Sequence, residues 1–446
     1  MIPMTLAEIA AVVDGVAHGV ARVSAPASLD SRSVETGGLF VALAGEHVDG
    51  HDYVESAIEN GAAAALTSRP VGDAPVVVVD DVTAALGRLA RYVLDQTHPT
   101  VIAITGSQGK TSVKDLLAQV LEPSGPTVAP EGSYNNELGV PLTILRADLD
   151  TRYLIVEMGA RGLGHIAGLC RIAPPDVAVV LNVGHAHVGE FGSPDVTAQA
   201  KGEIVEALTA EGDAVLNADD PRVAAMAART PGEVLTFGVG GELALGAVRL
   251  DVAGEPHFTL SIDDISVDVH VPQIGSHHAI NAAATAAAAL SLGLDLPKIA
   301  ERLDQAVSRS PMRMERYVRD DGLVVIDDAY NANPESMAAA LHALAGVGGG
   351  RRVAVLGEML ELGDGSHDSH VEVGRLAAEL GVDHVVAVGT GAAGIAEGAG
   401  DRGTAVADVD EALRELSAWL TPTDVVLVKA SRGVRLERVT EALLGG

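Results

Sequence analysis

One segment limits the possible folds of this 446-residue chain more than any other: VIAITGSQGKTSVKDLL, at residues 101–117. The apolar run VIAIT is followed by a short loop with two glycines. Apolar residues then recur at the spacing of one buried helix face: Val113, Leu116, Leu117, Val120 and Leu121. A strand that turns directly into a helix is the building unit of parallel α/β sheets. The segment therefore predicts such a sheet, with the loop at the carboxyl end of one strand.

The same alternation of strands and helices divides the chain into three parts. Residues 1–98 begin with a helix, since Thr5 and Glu8 have the spacing of a capping box. In residues 99–311 the strands VIAIT, YLIVE and VAVVLNV alternate with helices, until LALGAVRLDVAGEPHFTLSIDDISVDVHV introduces antiparallel-type alternation. Residues 312–446 contain a second series, LVVID, RVAVLG, HVVAVG and DVVLVKA. We therefore predict an α/β fold of three domains: an N-terminal α/β domain, a central parallel-sheet domain with an antiparallel excursion, and a C-terminal Rossmann-like domain.

Charge and cysteine content exclude several classes of function. The formal net charge of −31 argues against non-specific nucleic-acid binding and against attachment to an anionic membrane. The single cysteine, Cys170, excludes an internal disulfide framework and is typical of a reducing compartment. The most apolar stretch, AINAAATAAAALSLGL, is too short to span a membrane, and residues 1–11 lack the basic segment of a signal peptide. We expect a cytoplasmic protein that neither inserts into membranes nor binds nucleic acid.

The loop TGSQGKT departs from the common phosphate-loop pattern G-x-x-x-x-G-K-[ST], because Ile104 stands where the first glycine would be. It still lies between a strand and the amino end of a helix, where unpaired N–H groups and the helix dipole favour a polyphosphate. Lys110 would then reach the outer phosphates, and the hydroxyl of Thr111 would face Mg²⁺. The alternative is a tight turn with a surface lysine.

Two further residues belong to the same edge of the predicted sheet, and a third, Lys201, lies on the helix that follows. Glu157 ends the strand YLIVE, and His187 follows the strand VAVVLNV. Both can contribute to a metal site, although a strand-end carboxylate and a solvated loop histidine are the ordinary interpretations. Lys201 shares a helical stripe with apolar residues such as Val205, so it either extends to solvent or is buried. If it is buried beside a metal, its pKa falls, and the free amine can react with CO₂ to form a carbamate.

Taken in order, these elements resemble the Mur ligase family, ATP-dependent enzymes that extend the peptidoglycan precursor. The shortened loop, EMGARG, HAHVGEFGS…AKGEI and LNADDP carry the resemblance in the central part. HAINAAATAAAAL, MRME, DAYNANP, GEMLELGDGSHDSH and VLVKASRGVRLE continue it, and DSRSVETGGLFVALAG matches in the first part. Ala430 in KASRG departs from the family's usual K-G-S-R. The resemblance covers nearly the whole chain and implies a phosphate loop rather than a simple turn.

Within the family, DAYNANP and GEMLELG are similar to the ligase that adds D-alanyl-D-alanine to UDP-N-acetylmuramoyl-tripeptide. Residues 1–98 would then bind the UDP precursor, residues 99–311 ATP, and residues 312–446 the incoming dipeptide, near GEMLELG and His370. The preceding ligase, which adds the third amino acid, typically has D-Y-A-H-x-P where DAYNANP stands. That ligase and a nucleotide-binding protein without ligase activity remain the alternatives. We expect a monomer, and the identity of the third residue, meso-diaminopimelate or L-lysine, stays open.

The resemblance also implies the residues of each site. Lys110, Glu157, His187 and Lys201 would be catalytic; Thr111 and Glu157 would bind one Mg²⁺, and His187 with carbamylated Lys201 a second. The ATP site would be formed by Gly106, Ser107, Gln108, Gly109, Lys110, Thr111, Ser112, Asn281, Arg313, Asp328, Tyr330, Asn331 and Asn333. The UDP precursor would be bound by Ser31, Arg32, Asp49, His51, Asn135 and Asn136. Without the family, helix capping would explain Asn281, and turn formation would explain the asparagines of YNANP.

Overall fold

The structure is a computed structural model that describes residues 1–45, 48–184, 193–360 and 362–445. Three large sheets of five, ten and six strands follow one another along these residues, and a separate two-stranded sheet lies near the amino end. Each large sheet is mostly parallel and packs against helices, so the predicted series of three α/β domains is confirmed. No helix in these ranges combines the length and the apolar composition needed to cross a bilayer.

The N-terminal domain consists of β1 (Met4–Thr5), α1 (Leu6–Val13), β2 (Val16–His18), β3 (Arg22–Val23), β4 (Ala27–Ser28), β5 (Leu39–Val41), α2 (Val54–Glu59), β6 (Ala64–Thr67), β7 (Val76–Val78) and α3 (Val82–Thr97). The strand order is β2-β7-β6-β5-β4, and only β2 is antiparallel to its neighbour. Helix α1 begins at the predicted capping box, in which the Thr5 hydroxyl and the Glu8 carboxylate each accept a backbone N–H.

The central domain consists of β8 (Thr100–Thr105), α4 (Lys110–Leu121), β9 (Thr127–Val128), α5 (Gly139–Ile144), β10 (Tyr153–Glu157), α6 (His165–Ile172), β11 (Val177–Val180), α7 (Pro194–Glu206), β12 (Asp213–Asn217), α8 (Pro221–Ala224), β13 (Glu233–Gly238), β14 (Leu243–Leu245), β15 (Arg249–Leu250), β16 (Pro256–Ile262), β17 (Ile265–His270), α9 (His277–Ser291) and α10 (Leu296–Asp304). Strands β9-β10-β8-β11-β12-β13-β14 are parallel neighbours. Strands β15 to β17 then pair antiparallel, as predicted.

The C-terminal domain consists of β18 (Glu315–Val318), β19 (Val324–Asp327), α11 (Pro334–Gly346), β20 (Arg352–Gly357), α12 (Ser366–Glu379), β21 (His384–Val388), α13 (Ala393–Ala399), β22 (Gly403–Val406), α14 (Val409–Trp419), β23 (Val425–Lys429) and α15 (Glu437–Leu444). Its strand order is β18-β19-β23-β20-β21-β22. Strand β18 is antiparallel to β19 and the other pairs are parallel, so β19 and β23 end at the same edge.

Small and aliphatic side chains build the cores, because aromatic residues make up only 2% of the chain. Helix α9 is the clearest case, since its alanines are completely buried between α4 and the central sheet. Alanine lets the two helices approach closely. That approach brings Asn281 of α9 next to the loop that precedes α4.

Candidate active site

The loop between β8 and α4 is shaped by Gly109, whose φ of +83° is a left-handed conformation that favours glycine. A Cβ atom at Gly109 would lie 2.6 Å from Oδ1 of Asn281, so a larger residue would also collide with α9. Helix α4 begins directly after it, at Lys110. The N–H groups of the first turn of α4 therefore point into the cavity that the loop borders, as phosphate binding requires.

Asn182, which the sequence analysis did not single out, holds the other half of this loop. Its Oδ1 accepts the backbone N–H groups of Ser107 and Gln108, both at 3.0 Å, and the hydroxyl of Ser107 accepts the N–H of Gly184 at 2.9 Å. The sequence signal was present, because Asn182 follows β11 at the same sheet edge as the loop. Asn182 therefore fixes the loop conformation.

Lys110 folds back over the loop, and its Nζ donates to the carbonyl oxygen of Gly106 at 2.7 Å. Burial lowers the pKa of Lys110, and the nearby Arg313 lowers it further, while the Glu157 carboxylate opposes the shift. A phosphate group bound at the loop would supply negative charge to this partly desolvated cation. The position suits a phosphate-binding lysine better than the surface lysine of the alternative interpretation.

Thr111 and Glu157 meet in a group of oxygen atoms at the end of β10. The Thr111 hydroxyl donates to Oε2 of Glu157 at 2.9 Å and lies 3.0 Å from the hydroxyl of Ser133. Oε1 of Glu157 accepts from Nδ2 of Asn135 at 2.8 Å, and the Glu157 side chain is buried. Hydroxyl and carboxylate oxygens are the donors that Mg²⁺ prefers, so these residues fit the predicted metal.

Lys201 is buried on α7, which decides between the two interpretations of its apolar stripe. Its pKa falls well below the ordinary value, chiefly through desolvation and also through the nearby charge of Lys110. Neither a hydrogen bond nor an opposite charge contributes to this shift, and no ion pair joins Lys201 to another residue of the described ranges. A neutral amine in this position has the chemistry that carbamate formation needs. His187, its predicted partner in metal binding, lies outside the described residues.

The helix that carries Lys201, α7, is bound to the preceding helix, α6, through Glu203. The two carboxylate oxygens of Glu203 accept the N–H groups of Gly164 and Ala167, at 2.6 and 2.9 Å, at the start of α6. A carboxylate at a helix amino end is favoured by the exposed N–H groups and by the helix dipole. Glu203 therefore fixes α7 relative to the loop after Glu157.

Arg313 reaches from the C-terminal domain into the central domain. Its Nη2 lies 2.8 Å from the hydroxyl of Ser133 and 3.3 Å from that of Thr111, and its guanidinium stacks over the ring of Tyr330 at 4.1 Å. The stacking fixes the orientation of a side chain that would otherwise be mobile. A positive charge is thereby held beside Thr111, at the start of α4.

Asp328 at the end of β19 is paired with a buried lysine that the sequence analysis did not select. Nζ of Lys429 lies 2.6 Å from Oδ2 of Asp328 and donates to the carbonyl oxygen of Asn331 at 2.7 Å. Burial lowers the pKa of Lys429, whereas Asp328 opposes that shift. Lys429 ends β23, beside β19, so its position at the sheet edge was the available sequence signal.

The asparagines have mixed roles. Asn333 caps α11, since its Oδ1 accepts the N–H of Ser336 at 2.8 Å. Asn281 does not cap α9, which begins at His277 with Ser276 before it, so the capping interpretation of Asn281 was wrong. His277 and His278, which the sequence analysis did not select, also lie here; His278 is buried and His277 partly buried, and desolvation lowers the pKa of His277 to about 4.

Most of these side chains border one cavity of about 660 Å³ between the central and C-terminal domains, with Asn182 and Glu203 supporting its wall from behind. Every residue predicted for the ATP site lines it, together with Glu157 and Lys201. Asn135 and Asn136, predicted to contact the muramoyl precursor, line it as well. The volume lies in the range of about 300 to 1,000 Å³ that is typical of small-molecule and cofactor sites.

A second cavity, of about 920 Å³, lies between the N-terminal and central domains. Ser31 and Arg32 line it, as does Tyr134, the neighbour of Asn135. The segment 133–136 therefore borders both cavities and links them. This segment leads from the second cavity to the cavity bordered by the loop between β8 and α4.

Asp49 and His51 are placed differently from Ser31 and Arg32. His51 is buried, its Nδ1–H donates to Asp49 at 2.6 Å, and its Nε2 accepts the N–H of Ser68 at 2.9 Å. Both residues therefore order their own loop, and neither is among the residues that line the second cavity. His370 in the C-terminal domain is similar, since its Nε2 accepts the N–H of Met359 at 2.9 Å and its Nδ1–H donates to the carbonyl of Ser366.

Comparisons with known proteins agree with this geometry. Family models match residues 27–93 ("Mur ligase family, catalytic domain"), 104–289 ("Mur ligase middle domain") and 312–432 ("Mur ligase, glutamate ligase domain"). The chain is 44% identical to the UDP-N-acetylmuramoyl-tripeptide–D-alanyl-D-alanine ligase of Mycobacterium tuberculosis, over 100% of this chain and 98% of that one.

Two solved structures are similar over nearly the whole chain. MurF from Acinetobacter baumannii is 34% identical with a TM-score of 0.90, and the match covers 100% of this chain and 99% of that one. MurF from Thermotoga maritima, solved in complex with ADP, is 32% identical with a TM-score of 0.80, and the match covers 94% and 96%.

Proposed function

The chain belongs to the Mur ligase family, and from that premise we propose that it is the ATP-dependent ligase that joins D-alanyl-D-alanine to UDP-N-acetylmuramoyl-tripeptide. The product is the UDP-muramoyl-pentapeptide of peptidoglycan synthesis. The observation that carries the proposal is the shared cavity, where Lys110, Thr111 and Glu157 of the central domain face Arg313 and Asp328 of the C-terminal domain. The agreement of the relatives' names supports the choice of substrates.

The reaction makes an amide from a carboxylate and an amine. A carboxylate is a poor acyl donor, so its oxygen first attacks the γ-phosphorus of ATP, and ADP leaves. The amine of D-alanyl-D-alanine then attacks the acyl phosphate, loses a proton, and the tetrahedral intermediate expels phosphate. Both steps move charge on phosphoryl oxygens, so positioning and neutralisation of charge do most of the catalytic work.

The phosphate loop and Arg313 provide this neutralisation in our proposal. Nζ of Lys110 exchanges the carbonyl of Gly106 for the β- and γ-phosphates, and the first-turn N–H groups of α4 bind the same oxygens. Arg313 already points at this place through its contact with Ser133. The remaining residues of the ATP set bind the nucleoside, with Asn281 at the base and Asp328 at the ribose.

Thr111 and Glu157 would hold one Mg²⁺, which, when bound, neutralises charge on the β- and γ-phosphates. We further propose that the amine of Lys201 adds to CO₂, forming an N–C bond and releasing one proton, to give a carbamate. The carbamate and His187 would be ligands of a second cation. The burial of Lys201 supports this step, because only the neutral amine reacts with CO₂.

The two cavities suggest how the substrates are arranged. In this proposal residues 1–98 bind the UDP part in the second cavity, with Ser31 and Arg32 on its wall. The peptide part extends along Asn135 and Asn136 to the phosphate loop in residues 99–311. D-alanyl-D-alanine approaches from residues 312–446, beside the segment that His370 orders.

Phosphate release from ATP by the purified chain tests the function. Release should require both UDP-N-acetylmuramoyl-tripeptide and D-alanyl-D-alanine, with free D-alanine, L-lysine and diaminopimelate as control acceptors. Release only with the dipeptide precursor and a single amino acid would instead assign the preceding step of the pathway. No release with any pair would leave a nucleotide-binding protein without ligase activity.

A further inference from the structure

Two histidines face each other on the hairpin of β16 and β17, outside both cavities described above. His257 and His270 are directly opposite in the strand register. Their rings stack with centroids 4.4 Å apart and planes inclined by 15°. Opposed residues of an antiparallel pair project from the same face of the hairpin. The pair therefore presents imidazole nitrogens from two strands at one place on the surface.

Carboxylates surround this pair. Oδ2 of Asp251 lies 3.6 Å from Nε2 of His257, and Oε2 of Glu255 lies 3.0 Å from Nε2 of His270. The other oxygen of Asp251 accepts the N–H groups of Ala253 and Glu255, at 2.8 and 3.0 Å. These bonds fix the Asp251 carboxylate, so that Oδ2 faces the imidazoles without a cost of reorganisation.

The second ring nitrogen of His270, Nδ1, also faces a carboxylate. Nδ1 of His270 lies 2.8 Å from Oδ1 of Asp304, at the end of α10. Histidines that bind metals usually donate their second ring N–H to a carboxylate, which fixes the tautomer and makes the other nitrogen a better ligand. The arrangement of Asp304, His270 and the inner carboxylates has this form.

We propose that Asp251, His257 and His270 form a binding site for a divalent transition-metal ion such as Zn²⁺, with Glu255 as a further ligand. Donor atoms of the first three residues lie within 4.8 Å of one another. Ligands of a tetrahedral Zn²⁺ lie roughly 3.3 Å apart, so small side-chain rotations suffice. The ion takes the place of the Nε2 proton between His270 and Glu255, and that proton is released to solvent. Two imidazoles with carboxylates favour Zn²⁺ over Mg²⁺, which prefers oxygen ligands alone.

A bound ion would connect three segments: the turn at Asp251, the hairpin, and α10 through Asp304. None of these residues lines the cavity that contains the phosphate loop. The site is therefore independent of the proposed ligase mechanism, and its occupancy should change thermal stability rather than phosphate release.

Titration of the full, untagged and chelator-treated chain with ZnCl₂ alone, followed by calorimetry, tests the proposal. His257→Ala and Asp251→Asn should each weaken Zn²⁺ binding by about tenfold or more. His18→Ala, at an exposed histidine of β2, is the matched control and should leave binding unchanged. Co²⁺ should give the visible absorption of a four-coordinate site in the control and lose it in both variants.

The thermal midpoint gives a second readout. Zn²⁺ should raise the midpoint of the wild-type chain and of His18→Ala, but not that of His257→Ala. His257 is half exposed, so its removal should leave the unfolding midpoint without metal unchanged, which separates loss of binding from loss of folding. Zn²⁺ binding that is insensitive to both substitutions, or no binding at all, would overturn the site and leave only an ion-paired histidine cluster.

Discussion

Two buried lysines face the same cavity from opposite domains, and they differ in their partners. Lys429 of the C-terminal domain is paired with Asp328 at 2.6 Å. Lys201 of the central domain makes no ion pair with the residues that the structure describes, and it is repelled by the charge of Lys110, another cation. Desolvation lowers the pKa of both, but only Lys429 has a carboxylate that opposes the shift.

The difference separates two uses of a buried lysine. A buried charge with a partner organises the structure around it, and removing one partner leaves the other uncompensated. A buried amine without a partner costs stability and is kept neutral, which makes it a nucleophile. Lys429 is therefore expected to position Asp328, and Lys201 is expected to react as a nucleophile.

The largest loss of activity is expected at Lys110, which serves as the reference for the two buried lysines. Lys110→Ala should lower phosphate release by about 10³-fold or more, because it removes the cation nearest the transferring phosphate. The free energy of unfolding should change little, because Lys110 donates a hydrogen bond only to the carbonyl oxygen of Gly106 in the described part of the chain. Normal turnover in this variant would contradict the phosphate-loop assignment; Lys298→Met, at an exposed lysine, is the control for loss of a positive charge.

Lys429→Met should destabilise the chain by about 3 to 5 kcal/mol, because it leaves Asp328 buried without its cation. Chemical denaturation measures this change, with Lys298→Met as the surface control. Adding Asp328→Asn to Lys429→Met should recover part of the loss. If Lys429→Met is as stable as the wild type, the Lys429–Asp328 ion pair does not stabilise the edge of the C-terminal sheet. The contrast between a structural Lys429 and a reactive Lys201 would then be wrong for Lys429.

Lys201→Met should show the opposite combination, a loss of activity without a loss of stability. Phosphate release should fall by about 10² to 10³-fold, and added bicarbonate should not restore it. The free energy of unfolding, measured in buffer free of CO₂, should stay equal or rise by about 1 to 3 kcal/mol, because methionine needs no solvation. Full activity in this variant would remove the carbamate from the mechanism, as would a mass spectrum that shows no CO₂ adduct under any condition.

Whether a feature could be predicted from the sequence depended on how far apart its contacting residues lie along the chain. The capping box of Thr5 and Glu8 lies within four residues, and the strand–loop–helix unit within seventeen, so their patterns could be recognised directly. The Arg313–Ser133 contact joins residues 180 positions apart, and only the resemblance to a family pointed to Arg313. Lys429 was missed for the same reason, because its partner Asp328 is 101 positions away.

The His51 ring shows the reverse problem. The family resemblance assigns Asp49 and His51 to the precursor site, and in the structure the His51 ring is fixed by Asp49 and by Ser68, seventeen positions further along. A local pattern cannot show which way a histidine turns when its partner is distant. Burial of Lys201 was likewise undecided in the sequence, since an apolar helical stripe is compatible with both a snorkelling and a buried lysine.

The last prediction concerns the pH dependence of stability and isolates the unpaired lysine. The pKa of Lys201 is lowered in the folded chain, whereas the unfolded chain has the ordinary value of about 10.5. Between these two values the unfolded chain binds one more proton than the folded chain, so the free energy of unfolding rises with pH by about 1.4 kcal/mol per unit. Lysine deprotonation at Lys429 adds a similar but weaker contribution, because Asp328 opposes its shift.

Denaturation of the wild type and of Lys201→Met in CO₂-free buffers, from about pH 8 to pH 10, measures that slope. Groups far from Lys201 titrate equally in both chains, so the difference between the two slopes belongs to Lys201 together with its electrostatic coupling to Lys110. The wild type should gain stability relative to Lys201→Met as the pH rises. Parallel slopes would mean that Lys201 keeps its proton in the folded chain. In that case the two lysines would be alike in charge, and a neutral nucleophile at Lys201 would have no physical basis.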